Sequence, residues 1–465
     1  MNNTKLVVLI TLLIPGLSLG ERKPNIIVIM CDDLGYSDVG FNGCKDIPTP
    51  QIDSIASNGV RCTSGYTSYS VCGPSRAGFI TGRYQQRFGF ERNPQYDTSD
   101  PNMGVSKKEA TIANALSSAG YHCGVIGKWH LGAHKSLHPL NRGFDEFYGH
   151  LGGGHQYFPE MLTIKDSYSA KTEAESYRTW ILRNHEPIKT TKYLTDEFSD
   201  EAVRFVQRNK EKPFFLFLSY NAPHGPLQAT QEYLDRFPNI KNKKRKTYAA
   251  MVSAVDDGVG RLLKSLHENQ LTDNTLIFFL SDNGGPSDKN GSNNSPLRGK
   301  KSDVWEGGFR VPFAVQWPAK LPRGRVYSHP VSALDIFATA ADVSKAKISP
   351  DRPLDGVNLM PYLAGEIKNP PHAAIYLRKF DQQRFAVRKG DFKLVILGKD
   401  QPAQLFNLSK DIAETKNIAA QNPDKLAEID KLRNIWASEL IDPVFKGLIH
   451  RKGKKGQGSK KLKTK

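Results

Sequence analysis

Four apolar, β-branched or aromatic runs mark the chain, and each ends in a polar cluster. Residues 25–30 precede Cys31-Asp32-Asp33, residues 121–126 precede Gly127-Lys128-Trp129-His130, residues 214–218 precede Ser219-Tyr220-Asn221-Ala222-Pro223-His224, and residues 276–280 precede Ser281-Asp282-Asn283. Continuous apolar runs of this length predict strands buried on both faces. Helical patterns lie between them. Ser106 and Glu109 are spaced as a capping box, apolar residues recur at Ile112, Ala113 and Leu116, and Gly120 closes the segment. Tyr248, Met251, Val252, Val255, Val259, Leu262, Leu263 and Leu266 repeat at the helical period and predict a long helix with one buried stripe. The charge run 240–246 before it reads as a solvated loop. Strands alternating with helices predict an α/β fold with a mostly parallel sheet sandwiched by helices. In such sheets ligands bind beyond the carboxyl ends of the strands, where all four polar clusters would converge.

The pattern changes after about residue 345. Residues 373–377, 384–388 and 392–396 form short or alternating runs, with a turn at Arg388-Lys389-Gly390-Asp391. They predict a small antiparallel sheet. A helix from about Pro423 to Glu439 would pack on it through Leu426, Ile429, Leu432 and either Ile435 or Trp436. The expected organisation is an α/β domain over 21–345, a C-terminal α+β subdomain over 346–447 and a basic, disordered tail over 448–465.

Residues 1–20 carry Lys5, an apolar stretch from Leu6 to Leu19 interrupted by Pro15, and the small residues Ser18 and Gly20. This is the layout of a signal peptide, too short to span a bilayer, and it places the mature protein in the periplasm or outside the cell. No other segment approaches transmembrane length. Five cysteines are too few and too irregular for a disulfide framework, leaving at most two bridges if one thiol is consumed by modification. The formal net charge is +18, and eight of the basic residues fall within 451–465. For an exported protein this field favours acidic polysaccharides, lipid head groups or sulfated polymers over nucleic acid.

Asp32 and Asp33 are adjacent carboxylates at one strand end, and Asp282 and Asn283 end another. Together they supply hard oxygen donors, which suit Ca²⁺ or Mg²⁺ and not zinc. Cys72 stands at or just before a helix beginning near Pro74, where backbone N–H groups would face an anion. Arg76 lies one turn further on. Lys128 and His130 are two residues apart and would point the same way on extended backbone, as an anion-binding and a proton-transfer group. His224 follows Pro223 in a tight loop, and Lys301 sits in Gly-rich surroundings.

Cys72-Gly73-Pro74-Ser75-Arg76, followed by Thr81-Gly82-Arg83, resembles the signature of the type I sulfatases, in which an enzyme converts the cysteine to formylglycine on the unfolded chain. The resemblance extends over nearly all of the mature length. It includes Asp32-Asp33-Leu34-Gly35, Gly127-Lys128-Trp129-His130-Leu131-Gly132, Ala222-Pro223-His224, Ser281-Asp282-Asn283-Gly284, the segment from Lys301 to Pro312, and residues 405–417. Cys31 and Phe406-Asn407-Leu408 depart mildly from the usual pattern.

The resemblance implies an alkaline phosphatase-like fold and a sulfuric ester hydrolase. It implies Ca²⁺ held by Asp32, Asp33, Asp282 and Asn283, with the modified Cys72 completing the shell. Hydrated formylglycine would attack sulfur, with Lys128 and Lys301 neutralising sulfate oxygens and Arg76 orienting the modified side chain. His224, alone or with Lys301, would protonate the leaving alcohol and His130 would accept a proton as sulfate departs. A formylglycine-generating enzyme is the implied maturation partner.

Residues 141–149, followed by Gly152-Gly153-Gly154-His155-Gln156-Tyr157, resemble bacterial sulfatases that act on polysaccharides. The expected substrate is a sulfated galactan such as carrageenan, with Arg142, His155 and Tyr157 as sugar contacts. The competing readings are a glycosaminoglycan or aryl sulfatase, a phosphonate or phosphodiester hydrolase, and a non-catalytic binder of sulfated polymers.

Overall fold

In a computed structural model that describes residues 22–161 and 179–447, the four apolar runs become four adjacent parallel strands. In chain order the large sheet contains β1 (Asn25–Cys31), β2 (Val60–Cys62), β3 (His122–Lys128), β4 (Glu146–His150), β5 (Ile181–Arg183), β6 (Glu186–Ile188), β7 (Phe214–Ser219), β8 (Thr275–Ser281), β9 (Phe313–Gln316) and β10 (Arg325–Tyr327). Their spatial order is β10-β2-β9-β8-β1-β7-β3-β4-β5-β6. β1 lies centrally, with Ile27 opposite Leu216 of β7 and Ile277 of β8. The antiparallel pairings are β9 with both β8 and β2, and the β4-β5-β6 edge.

Every residue of β1 is buried because alternate side chains enter different cores. Ile26, Val28 and Met30 face one core, closed by α1 (Cys72–Thr81) and α2 (Ile112–Ser118). Ile27 and Ile29 face the other, closed by α3 (Leu194–Asn209) and α4 (Lys243–Glu268). The helical stripe read from the sequence is the buried face of α4.

The C-terminal sheet is antiparallel, in the order β11 (Ile375–Lys379), β12 (Arg384–Lys389), β13 (Phe392–Ile396) and β14 (Gln404–Asn407). α5 (Pro423–Ser438) packs on it. Trp436, not Ile435, is the inward residue at the end of that helix: it is buried against Tyr84, whereas Ile435 is about half exposed.

Two local expectations are corrected. α2 begins at Ile112 rather than at Ser106, because Thr111 is its N-cap and Asn114 completes a reciprocal capping box. Ser106 and Glu109 form a preceding turn. The charge run before α4 is not a free loop either. The helix starts at Lys243, and the Arg245 guanidinium pairs with buried Asp38 and with Asp46 at 2.7 Å. All five cysteines are unpaired. Among the described residues no helix is long and apolar enough to cross a membrane. The signal-peptide and basic-tail segments lie outside the described residues.

Candidate active site

The four strand-end clusters meet beside the N-terminus of α1. Asp32 N–H donates to the Ala222 carbonyl (3.1 Å) and Asp282 N–H to the Cys31 carbonyl (3.0 Å), so the loops after β1, β7 and β8 are stitched together. Asp33 adopts a left-handed backbone, φ 65°, and its N–H donates to Asp282 Oδ1 at 3.3 Å. The Asn283 amide donates to Asp33 Oδ1 at 2.7 Å.

Three cations are interleaved with these carboxylates. Lys128 Nζ donates to Asp32 Oδ2. Lys301 Nζ lies 2.6 Å from Asp33 Oδ1. Arg76 is wholly buried and donates through Nε to Asp282 Oδ2 at 2.8 Å, while another nitrogen serves the Lys128 carbonyl at 3.2 Å and the Ser219 hydroxyl. Gly127 permits this approach: its φ is +107°, and a Cβ there would lie 1.9 Å from the Ser219 carbonyl oxygen.

Cys72 is the first residue of α1 and is buried. The helix has no side-chain cap of its own. Instead Asn93, from a distant loop, accepts the Gly73 N–H at 2.9 Å, and its Oδ1 lies 3.8 Å from the Cys72 sulfur. Burial pushes the thiol up in pKa, opposed by Lys128 and Lys301. His224 Nδ1 faces the Gly225 carbonyl at 2.7 Å and donates to it, so Nε2 is the nitrogen turned to Asp33, 3.7 Å away.

His130 does not owe its direction to strand alternation. β3 ends at Lys128, and His130 turns on a left-handed φ of 57°. It is buried with neither ring nitrogen bonded, and its pKa is held well below the ordinary range by burial and then by Lys128 and Arg76.

The oxygen donors fit a hard cation. Among the described residues nothing donates to the buried Asp32 Oδ1 or Asn283 Oδ1, and ligand atoms of Asp32, Asp33 and His224 all lie within 4.8 Å of one another. Asp282 offers less than the sequence suggests, since Arg76 occupies its Oδ2. Burial raises Asp32, but Lys128, His224 and Arg76 together hold it below the usual carboxylate range. Burial and the neighbouring Asp32 charge push Asp282 the other way, up to about 7. Arg76, Lys128 and Lys301 thus match the three carboxylates in number without fully relieving their repulsion.

The three expected sugar contacts are not on the surface of the site. The Arg142 guanidinium is buried and donates to the carbonyls of Val105, Ser106 and Glu109, at 3.0, 3.1 and 2.8 Å. His155 is fully buried, with its ring nitrogens against the carbonyls of Gln156 and Thr179. Tyr157 is also fully buried, its hydroxyl 2.7 Å from the Asn221 carbonyl and 2.8 Å from that of His224. Residue type and glycine-rich context suggested exposure, but backbone carbonyls claimed these polar groups.

Sequence reasoning missed Asn93, Ser219, Asn221 and His150. Ser219 and Asn221 belong to the same polar cluster after β7 as His224, so the strand end that carries His224 also places them. Asn221 is buried with neither amide atom bonded, and so is His150, which lies opposite Lys128 in the β3–β4 ladder. Asn93 sits in a loop that carries no pattern.

Comparison with known proteins gives a consistent result. The family model described as Sulfatase matches residues 24–346, and one described as N-sulphoglucosamine sulphohydrolase, C-terminal, matches residues 300–436. The solved structure of Ps i-CgsB in complex with k-i-k-neocarrahexaose is 42% identical, with a TM-score of 0.85 over 91% of this chain and 95% of that one. Arylsulfatase H of Homo sapiens is 33% identical, covering 77% of this chain and 75% of its own length. N-acetylgalactosamine-6-sulfatase of Canis lupus familiaris is 31% identical over 90% of this chain and 81% of its own.

Proposed function

From the premise that the chain belongs to the sulfatase family and is a sulfuric ester hydrolase acting on sulfated carbohydrates, we propose that its substrate is a sulfated galactan of the carrageenan type. We further propose that it works through formylglycine at position 72 and Ca²⁺, and that it acts in the periplasm or outside the cell. The observation that carries the chemistry is the convergence on Cys72 of three carboxylates, three cations and two buried, unbonded acceptor oxygens. The galactan assignment is supported by likeness to a structure solved with a neocarrahexaose.

Asp32, Asp33 and Asn283 would hold the Ca²⁺, with Asp282 bridging to Arg76. The bound cation would supply positive charge to acidify the nucleophile and neutralise sulfate oxygens. Hydrated formylglycine would supply one hydroxyl to attack sulfur and a second through which sulfate is released. Lys128 and Lys301 line the sulfate position and neutralise charge that grows in the transition state. Arg76 fixes Asp282 and the carbonyl of Lys128, keeping the acidic loops in register. His224 donates a proton to the leaving alcohol from Nε2 as the imidazolium, its Nδ1–H anchored on Gly225; burial lowers its pKa, and the carboxylates of Asp32 and Asp33 oppose that shift and favour the charged ring. His130, kept neutral by burial, is set to accept a proton during sulfate release.

The test is sulfate release by matured enzyme from a panel of carrageenan oligosaccharides, glycosaminoglycans, aryl sulfates and phosphate diesters, alongside Cys72→Ala. Release fastest from carrageenan oligosaccharides, and abolished in the folded Cys72→Ala variant, is expected. Faster release from glycosaminoglycans would overturn the galactan assignment, faster phosphodiester turnover would overturn the ester class, and an active Cys72→Ala protein would overturn the nucleophile.

A further inference from the structure

α1 leads away from the site. Its ten residues span about 15 Å, and Arg83 lies just past its far end. There a cavity of about 970 Å³ opens beside Lys107, Lys108, Lys135 and His185. A second, of about 320 Å³, opens beside Arg83, Lys108, Lys347 and Arg352. The two share Lys108, Glu109, Ala110 and Asn114, so they adjoin along one wall, and the pair makes up the trough.

Lys107, Lys108, Lys135 and Lys347 are exposed and form no ion pair among the described residues. Glu109 is buried and already bonded by two arginines, Arg83 at 2.6 Å and Arg352. Asp351 is the other carboxylate on the wall. The lysines therefore leave an uncompensated positive field. Their mounting is rigid: the buried Arg142 guanidinium ties down the carbonyls of Val105, Ser106 and Glu109, on either side of Lys107 and Lys108.

We propose that this trough is a second, non-catalytic binding site for the anionic polysaccharide, holding sulfate groups of the chain at a distance from the one being cleaved. The lining favours carbohydrate. Between the lysines stand Asn114 and Asn141: the Asn114 Oδ1 is held in the capping box of α2 and the Asn141 amide nitrogen on the Lys135 carbonyl, which leaves the Asn114 amide nitrogen and the Asn141 Oδ1 to meet sugar hydroxyls. No exposed Tyr, Trp or Phe lines it for base stacking. The inference rests on the sulfated-polysaccharide reading given above, with polymer length as the new element. A chain held in the trough raises the effective concentration of its other sulfates near Cys72.

The test compares the full-length, matured enzyme with its Lys107→Ser/Lys108→Ser/Lys135→Ser variant by affinity electrophoresis through gels containing polymeric carrageenan, and separately through gels containing duplex DNA. Losing three exposed ion pairs at ordinary surface strength corresponds to about a tenfold weaker affinity for the polymer, shrinking as salt is added. Turnover of a small aryl sulfate is expected to stay unchanged. Unaltered retardation by carrageenan overturns the proposal, and so does an equal loss toward DNA, which would mark a sequence of lysines acting as a diffuse field. Trough-dependent retardation by carrageenan without sulfate release from it would support the trough and overturn only the assigned substrate.

Discussion

The Tyr157 hydroxyl reaches no solvent and instead spans the carbonyls of Asn221 and His224, the two ends of the turn that presents the His224 ring. Its role is positioning. The single O–H is shared between the two carbonyls, and the Asn221 carbonyl also accepts the His224 N–H at 3.0 Å, so Tyr157→Phe removes one hydrogen bond, at a cost of about 0.5–1.5 kcal/mol. A lower kcat with little change in KM is expected, together with a reduced Tm. A residue that touched sugar would raise KM instead, so steady-state kinetics on matured enzyme separates the two roles. The same contrast explains what was legible at this scale. Asp32, Asp33, Lys128, His224 and Asp282 stand in short clusters just past apolar runs, and strand polarity alone carries them to one place. Arg142, His155 and Tyr157 could be named from type and glycine context, but whether a polar group is exposed or buried against carbonyls is decided by distant chain. His150 and Asn221 show the reverse case: ordinary in sequence, they are buried polar side chains beside the site with no hydrogen-bond partner among the described residues.

Among the elements, the alternation of buried strands and amphipathic helices is strong enough to read directly, and β1, β3, β7, β8 and α4 follow from it. Boundaries are weaker signals. Ser106 and Thr111 both offer a cap, and the one whose partner Asn114 can return the hydrogen bond starts the helix. The grip of the C-terminal sheet on the loop carrying Lys301 was not readable at all, because it depends on how two sheets dock. Lys379, at the end of β11, donates to the carbonyl and hydroxyl of Ser302 at 2.6 and 2.8 Å. Ser302 in turn donates its N–H to Ser70, two residues before Cys72. Further along, Glu414 accepts the Glu306 N–H at 2.7 Å, and Lys393 sits between those two carboxylates, 2.9 and 2.7 Å away. Lys379→Met is therefore expected to loosen Lys301 relative to Cys72 and to lower kcat by between about tenfold and about a hundredfold. Lys379→Arg should recover part of that loss. A drop in Tm with kcat unchanged would reduce the contact to a structural one.

For the molecule as a whole, the fold constrains when its own active site can be made. All ten residues of α1 are buried, Cys72 itself is only 2% exposed, and Ala77, Phe79 and Ile80 are part of the main core. Under the formylglycine proposal, an enzyme that oxidises Cys72 needs the Cys-Gly-Pro-Ser-Arg peptide as accessible chain. Freeing it from the native protein means withdrawing a central helix from one face of the large sheet, which approaches global unfolding in cost. At ordinary stabilities of about 5–15 kcal/mol, one molecule in several thousand or fewer would be open at a time. Maturation is therefore expected to precede folding. Protein made without a formylglycine-generating enzyme, then incubated with that enzyme in the folded state, should keep its thiol by peptide mass spectrometry. A synthetic peptide covering residues 69–83 should be converted under the same conditions. Across Phe79→Ala, a core variant expected to lose about 3–5 kcal/mol, conversion of the full chain should rise with its unfolded fraction. Rapid conversion of the intact, fully folded wild-type protein would mean that α1 opens locally, and that the helix carrying Cys72 is far less firmly held than its burial implies.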